Sequence, residues 1–136
     1  MGKPIRVLIV EDSEDDALLL VRQLRNYGFD PTFERVDTAE AMNAAFDGRT
    51  WDIVLSDFVI PGFGGLEAIK LLRQKGFDIP IMIVSGKIGE ETAVKCMKAS
   101  ANDYVMKENL RRLGPAVERE LQETENRRIR RIVEDR

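Results

Sequence analysis

Histidine is absent from this chain of 136 residues, and that absence removes whole classes of chemistry. The chain has no phosphohistidine, no histidine-based catalytic triad and no imidazole metal site. Acid–base or phosphoryl chemistry must therefore run through carboxylates, Ser/Thr hydroxyls and Lys/Arg. Cysteine occurs once, as Cys96, which excludes an internal disulfide and suits a reducing compartment. Its setting, Thr92-Ala93-Val94-Lys95-Cys96-Met97, is helical in pattern and reads as packing. No apolar run approaches the roughly 20 residues that cross a bilayer. Glu11 and Asp12 interrupt the first apolar run too early for a secretory signal, so a cytoplasmic protein with no membrane partner is expected. The net charge of −3 argues against direct nucleic-acid binding through a basic face. What remains is one soluble domain with a real core, given 43% hydrophobic and 33% charged residues.

Short β-branched runs alternate with longer segments of helical period. Ile5 to Val10 is almost continuous Val, Ile and Leu, as in a strand buried on both faces. A helix over Ala17–Tyr27 follows, closed by Gly28. Thr32–Val36 is a weaker strand near an edge, because charges interrupt it. Asp37 is expected to cap a second helix running to Gly48, with Glu40 completing a capping box. The third strand is Ile53–Ser56, and a loop with Pro61, Gly62, Gly64 and Gly65 leads to a helix over Leu66–Lys75. Pro80 opens a fourth strand, Ile81–Val84, and a helix over Glu90–Ala99 precedes a fifth, Tyr104–Met106. After one turn at Leu110–Leu113, the last helix is expected to start with Pro115 at its first position. Five strands alternating with five helices predict an α/β fold with a parallel sheet and helices on both faces. Sites in such sheets form outside the carboxyl ends of the strands.

Four of the strands end in a residue with chemical potential. Glu11 and Asp12 follow the first, Asp57 the third, Ser85 the fourth and Lys107 the fifth. Three carboxylates, a hydroxyl and an ammonium thus converge at one sheet edge. The run Glu11-Asp12-Ser13-Glu14-Asp15-Asp16 splits in two on this view. Glu14, Asp15 and Asp16 read as acids in a first helical turn, favoured by the helix dipole. Glu11 and Asp12 belong at the sheet edge, where a hard cation such as Mg²⁺ relieves the repulsion between carboxylates. Asp57 ends a dry central strand, where an unpaired carboxylate is costly. Beside a divalent cation it stays ionised and can act as a nucleophile toward a phosphoryl group. Lys107 has a reason to reach across to it, and the Ser85 hydroxyl is placed to donate to a phosphoryl oxygen. Asp52 reads as a turn residue at a strand start.

In this order and spacing, the residues resemble the receiver domain of two-component signalling over about Lys3 to Leu121. The resemblance implies a flavodoxin-like sheet of order 2-1-3-4-5, with residues 3–121 as the receiver and 122–136 as an extended C-terminal helix. It implies Asp57 as phosphoacceptor, Asp12 as direct metal ligand with Glu11 beside it, and the Val59 carbonyl as a backbone ligand for Mg²⁺. Ser85 matches the switch hydroxyl, Tyr104 the switch aromatic, Lys107 the family's lysine, and Pro61 and Gly65 its loop residues. A histidine kinase or phosphotransfer protein would be the phosphodonor. The face made by Glu90–Ala99, Tyr104–Met106 and the last helix would respond and serve an output or a homodimer.

One position departs from that family's habit, and two others bear on phosphoryl lifetime. Glu108 stands where Pro usually follows the lysine, and a cis bond before Glu would cost about 2.5–4 kcal/mol, so a trans Lys107–Glu108 bond is expected. Val59 and Lys87 occupy the two loop positions that tune phosphoryl lifetime, and apolar Val59 cannot orient an attacking water, so slow self-dephosphorylation is expected. The segment from Pro115 to Arg136 outruns a receiver, with Val117, Leu121, Ile129, Ile132 and Val133 as an apolar stripe. A solvated tail, a helix pairing with its twin and a connector to a further domain all stay open. The competing functions are an Asp-nucleophile phosphatase, which needs an aspartate where Val59 stands, and an FMN carrier, which needs a Ser/Thr/Gly-rich first loop. A pseudo-receiver that binds partners without phosphorylation is the third.

Overall fold

The computed structural model describes residues 2–86 and 89–135. Its order is β1 (Lys3–Val10), α1 (Glu14–Tyr27), β2 (Phe29–Val36), α2 (Ala39–Ala45), β3 (Ile53–Ser56), α3 (Gly65–Gln74), β4 (Ile81–Ser85), α4 (Glu90–Lys98), β5 (Asp103–Met106) and α5 (Leu113–Glu134), with a 3₁₀ segment at Lys107–Arg112 before the last helix. All strand pairings are parallel, in the order β2-β1-β3-β4-β5. The expected α/β architecture and strand order are what the chain adopts.

Alternation along the strands builds two cores from one sheet. Ile5, Val7 and Ile9 of β1 join Ile53, Leu55, Met82, Val84 and Val105 under α1 and α5. Leu8 and Val10 point the other way, with Val54, Ile81 and Ile83 under α2, α3 and α4. Cys96 is fully buried in that second core, as a packing residue. Burial pushes its thiol pKa up, away from thiolate reactivity. Gly28 closes α1 at φ 120°, its N–H reaching the carbonyls of Arg25 and Leu24, and a side chain there would be strained. Gly114 of α5 lies directly against the Tyr27 ring of α1. No helix among the described residues is long and apolar enough to cross a membrane.

Several boundaries differ from expectation. Thr38, not Asp37, caps α2, its hydroxyl accepting the Ala41 N–H at 3.0 Å. Asp37 is instead 3.9 Å from Arg35. The β2 edge strand begins at Phe29 and tolerates Pro31, as an edge with one unpaired side can. The last helix starts at Leu113, so Pro115 is its third residue rather than its first. First-turn amides have no intrahelical partner, so the ring costs nothing there. No peptide bond among the described residues is cis, and Lys107–Glu108 is trans. Asp52 does more than turn the chain: it accepts the Arg6 N–H at 2.7 Å and pairs with its guanidinium at 2.9 Å.

The extended helix is anchored through its later turns. Thr124 is buried and donates to the Glu120 carbonyl at 2.8 Å. Asp78, in the loop before β4, meets Arg127 and Arg131 at 3.2 Å each. Among these anchored turns and just beyond them, Ile129, Ile132 and Val133 are exposed.

Candidate functional site: carboxylates at the carboxyl edge of the sheet

The sheet's hydrogen bonds run one residue past β1 and β3 and so fix the first two acids. The Glu11 N–H donates to the Val36 carbonyl at 2.9 Å, and the Asp57 N–H to the Val10 carbonyl at 2.8 Å. Behind Asp57, Gly65 allows α3 to start against the loop, since a Cβ there would lie 3.0 Å from the Phe58 Cα. Glu11 is 1% exposed and Asp57 8%, so both carboxylates need partners. Asp57 has them on both oxygens. Ser85 donates to Oδ1 at 2.8 Å, the Val59 N–H reaches Oδ1 at 3.3 Å, and Lys107 Nζ lies 3.0 Å from Oδ2.

Lys107 is the hub of the edge. Its ammonium meets Glu11 Oε2 at 2.9 Å, Asp16 Oδ2 at 2.7 Å and Asp57 Oδ2 at 3.0 Å. An ammonium has three N–H donors, and three carboxylates occupy them. Asp12 lies outside that set, exposed to solvent, yet one carboxylate oxygen each of Glu11, Asp12 and Asp57 falls within 4.8 Å of the others. A cluster of anionic oxygens with an open, solvated side suits a hard divalent cation that keeps several waters. Chemistry and geometry fit Mg²⁺, with Lys107 sharing two of the three carboxylates.

The electrostatics follow from this crowding. Burial would raise Asp57, but donation from Lys107 and Ser85 outweighs it and holds the carboxyl below its usual range. Glu11 goes the other way, up to about 7: burial dominates, Lys107 and the Ser13 N–H oppose it, and the negative Asp57 adds to it. Lys107 would be lowered by burial, yet Asp16, Glu11 and Asp57 together hold it firmly protonated.

Tyr104 stands apart from this cluster. It is half-buried on β5, where it pairs in register with Ile83, while Ser85 pairs with Met106. With Ala93, Val94, Met97 and Lys98 of α4, it lines a shallow hollow of ≈ 490 Å³. Val94 and Met97 remain 46% and 44% exposed there. The Val59 side chain points to solvent at 68% exposure. Lys87 lies outside the described residues.

Two contributors escaped the sequence reading. Asp16, assigned only to the helix dipole, supplies the shortest contact to Lys107. Ser13 caps α1 by accepting the Asp16 N–H at 3.2 Å, while its own N–H donates to Glu11 Oε1 at 3.1 Å. The pattern Ser13-x-x-Asp16 was the available signal. A serine cap places the residue three positions on in the first turn, where side chains lean back toward the helix start. Here that direction is toward the sheet edge.

The sequence profile of the family described as "Response regulator receiver domain" matches residues 7–118. This chain belongs to that family. Among relatives of the receiver, the phosphate regulon transcriptional regulatory protein PhoB of Klebsiella pneumoniae is 33% identical over 105 residues, covering 75% of this chain and 44% of PhoB. The sensory transduction protein RegX3 of Mycobacterium tuberculosis is 39% identical over 101 residues, covering 74% of this chain and 43% of RegX3. The receiver thus spans less than half the length of these two relatives. A CheY-like response regulator receiver domain protein from Methanospirillum hungatei superposes with a TM-score of 0.77 at 25% identity, over 93% of this chain and 99% of that one. The receiver domain of the Francisella response regulator 1452 superposes at 0.76 over 88% and 98%, and at 21% identity it speaks for the fold alone.

Proposed function

We propose that this receiver accepts a phosphoryl group on Asp57 from the phosphohistidine of a histidine kinase or phosphotransfer protein. The observation that carries the reading is a buried carboxylate held at 2.8 Å by Ser85 and 3.0 Å by Lys107, with Glu11 and Asp12 converging beside it. An Asp57 carboxylate oxygen attacks phosphorus, the donor's N–P bond breaks, and the imidazole leaves with the electron pair. Glu11, Asp12, Asp57 and the Val59 carbonyl would hold Mg²⁺, which supplies positive charge to offset that of the phosphoryl oxygens. Lys107 keeps Asp57 ionised before transfer and pairs with a phosphoryl oxygen afterwards. Ser85 holds the attacking carboxylate in place and then donates to the new group.

The acyl phosphate adds about −1.5 to −2 charge and three acceptor oxygens. Ser85, already on Asp57 at 2.8 Å, turns to the new phosphoryl oxygen and Tyr104 follows, closing the hollow beside Ala93 and Met97 and reshaping the face of α4, β5 and α5. Only contacts that differ between the two states shift the population. Val59 offers no polar group to an attacking water, so the phosphoryl group is long-lived and the domain stores a signal rather than turning over substrate. Residues 3–121 act as the receiver, and 122–136 as a connector or pairing helix toward an output. The decisive experiment is incubation with acetyl phosphate, with and without Mg²⁺, followed by intact mass. A Mg²⁺-dependent phosphoryl adduct that Asp57→Asn abolishes is the expected result. No adduct, or steady phosphate release, refutes the reading.

A further inference from the structure

We infer that Asp16 is a positioning residue for Lys107, and that it sets how strongly this lysine competes with a divalent cation for Glu11 and Asp57. The inference rests on the function proposed above. Lys107 directly follows β5 and opens a 3₁₀ segment, its bond to Glu108 is trans, and Asn109 within that segment departs from helical geometry at φ −130°, ψ 52°. No proline ring fixes the backbone here, so side-chain partners aim the ammonium. Of the three, Asp16 is the nearest, at 2.7 Å.

The backbone of Asp16 is itself held in place. Its N–H is bound by Ser13, whose own N–H is bound by Glu11, so the first turn of α1 is tied to the end of β1. Asp16 is not one of the carboxylates that converge within 4.8 Å, and it approaches Lys107 as a third acceptor. Glu11 and Asp57 would therefore serve two cations, the lysine and a divalent metal ion, whereas Asp16 pairs with the lysine alone. With Asp16 in place, one N–H is drawn off toward α1. Without its charge, the ammonium settles onto Glu11 and Asp57, the oxygens a metal ion needs.

The test is a double-mutant cycle read by calorimetric Mg²⁺ titration and by the Mg²⁺ dependence of acetyl phosphate labelling. Asp16→Asn keeps the side-chain volume and removes the charge. It is expected to weaken Mg²⁺ binding about fivefold or more, as coupled neighbours do. In a lysine-free background the same change is expected to cost less than about twofold. Lys107→Met and Lys107→Gln provide two such backgrounds, so misfolding of one leaves the cycle intact. Asp16→Glu should restore binding in the native background. Equal weakening with and without Lys107 overturns the inference, since Asp16 would then act as a bare charge. No weakening in the native background overturns it as well. If the native protein neither binds Mg²⁺ nor accepts a phosphoryl group, the proposed function itself fails, which is a different result.

Discussion

Replacing Asp57 with Asn separates a carboxylate kept for function from one kept for stability. Two favourable terms are lost. The Lys107 attraction at 3.0 Å is worth about 5.5 kcal/mol at an effective dielectric of ~20. The Ser85 hydrogen bond, accepted by an amide oxygen instead of a carboxylate, loses its charge assistance, about 1 kcal/mol. Two unfavourable terms are also lost. Repulsion from Glu11, with oxygens within 4.8 Å, is at least about 3.5 kcal/mol on the same scale. Holding an ion at this depth costs several kcal/mol more. The terms nearly cancel, so the variant is expected within about 1 kcal/mol of the native protein or slightly above it. Breaking an ordinary buried ion pair costs roughly 3–5 kcal/mol instead. The measurement is urea unfolding by circular dichroism at pH 8 in EDTA. Glu11, raised from 4.5 to about 7, is ionised there. Its proton stabilises the native fold fully below pH 4.5, and that contribution is lost as pH rises through about 7. Asp57→Asn lowers the Glu11 pKa, so the variant gains on the native protein as pH rises. Adding Mg²⁺ should then stabilise the native chain more than the variant. A variant about 3 kcal/mol less stable in EDTA, with an undiminished Mg²⁺ gain, would refute the reasoning.

Ser85→Ala should cost about 1 kcal/mol of stability and still permit phosphorylation. Hydrogen exchange at α4 and β5, responsive in the phosphorylated native protein, should stay unresponsive in this variant. Asp78→Ala should cost about 1 kcal/mol, because two partly exposed guanidinium contacts lose their anchor. Amide exchange over residues 127–134 should speed up while the sheet is unaffected. Asp52→Asn should cost about 0.5–1 kcal/mol with a definite pH signature. Burial would raise the Asp52 pKa, but Arg6 outweighs it and holds it below its ordinary 3.8, so the difference from native should be full above that value. It should disappear as pH falls through the lowered folded value, and a difference that persisted in acid would contradict the assignment.

The fold was legible because a parallel sheet writes itself twice into the sequence. Ile5, Val7 and Ile9 serve one core and Leu8 and Val10 the other, so β1 appears as an unbroken apolar run, and its end is marked where Glu11 begins. The same logic exposed Asp57 and Lys107, each directly after a strand, and Ser85, which is the last residue of β4. Helix starts were harder to place. Asp37 and Thr38 are both good caps, and only the chain direction leaving β2 decides that the Thr38 hydroxyl meets the Ala41 N–H. The anchoring of α5 was invisible for a different reason. Asp78 and Arg127 are distant in sequence, and their pairing depends on where a loop lies in space.

Asp16 shows where periodicity stops informing and geometry begins. An acid in a first helical turn already has a sufficient local explanation in the helix dipole, so pattern alone gives no cause to seek another. Lys107 provides that cause. An ammonium with three donors, placed after a strand without a ring to fix the next residue, requires acceptors from three directions. Glu11 comes from β1, Asp57 from β3 and Asp16 from α1. Each belongs to an element whose place is set by the apolar runs, so the lysine is aimed by the fold as a whole. That division of labour explains how Glu108 is accommodated: the restraint a rigid backbone would impose comes instead from charges held in fixed positions around one cation.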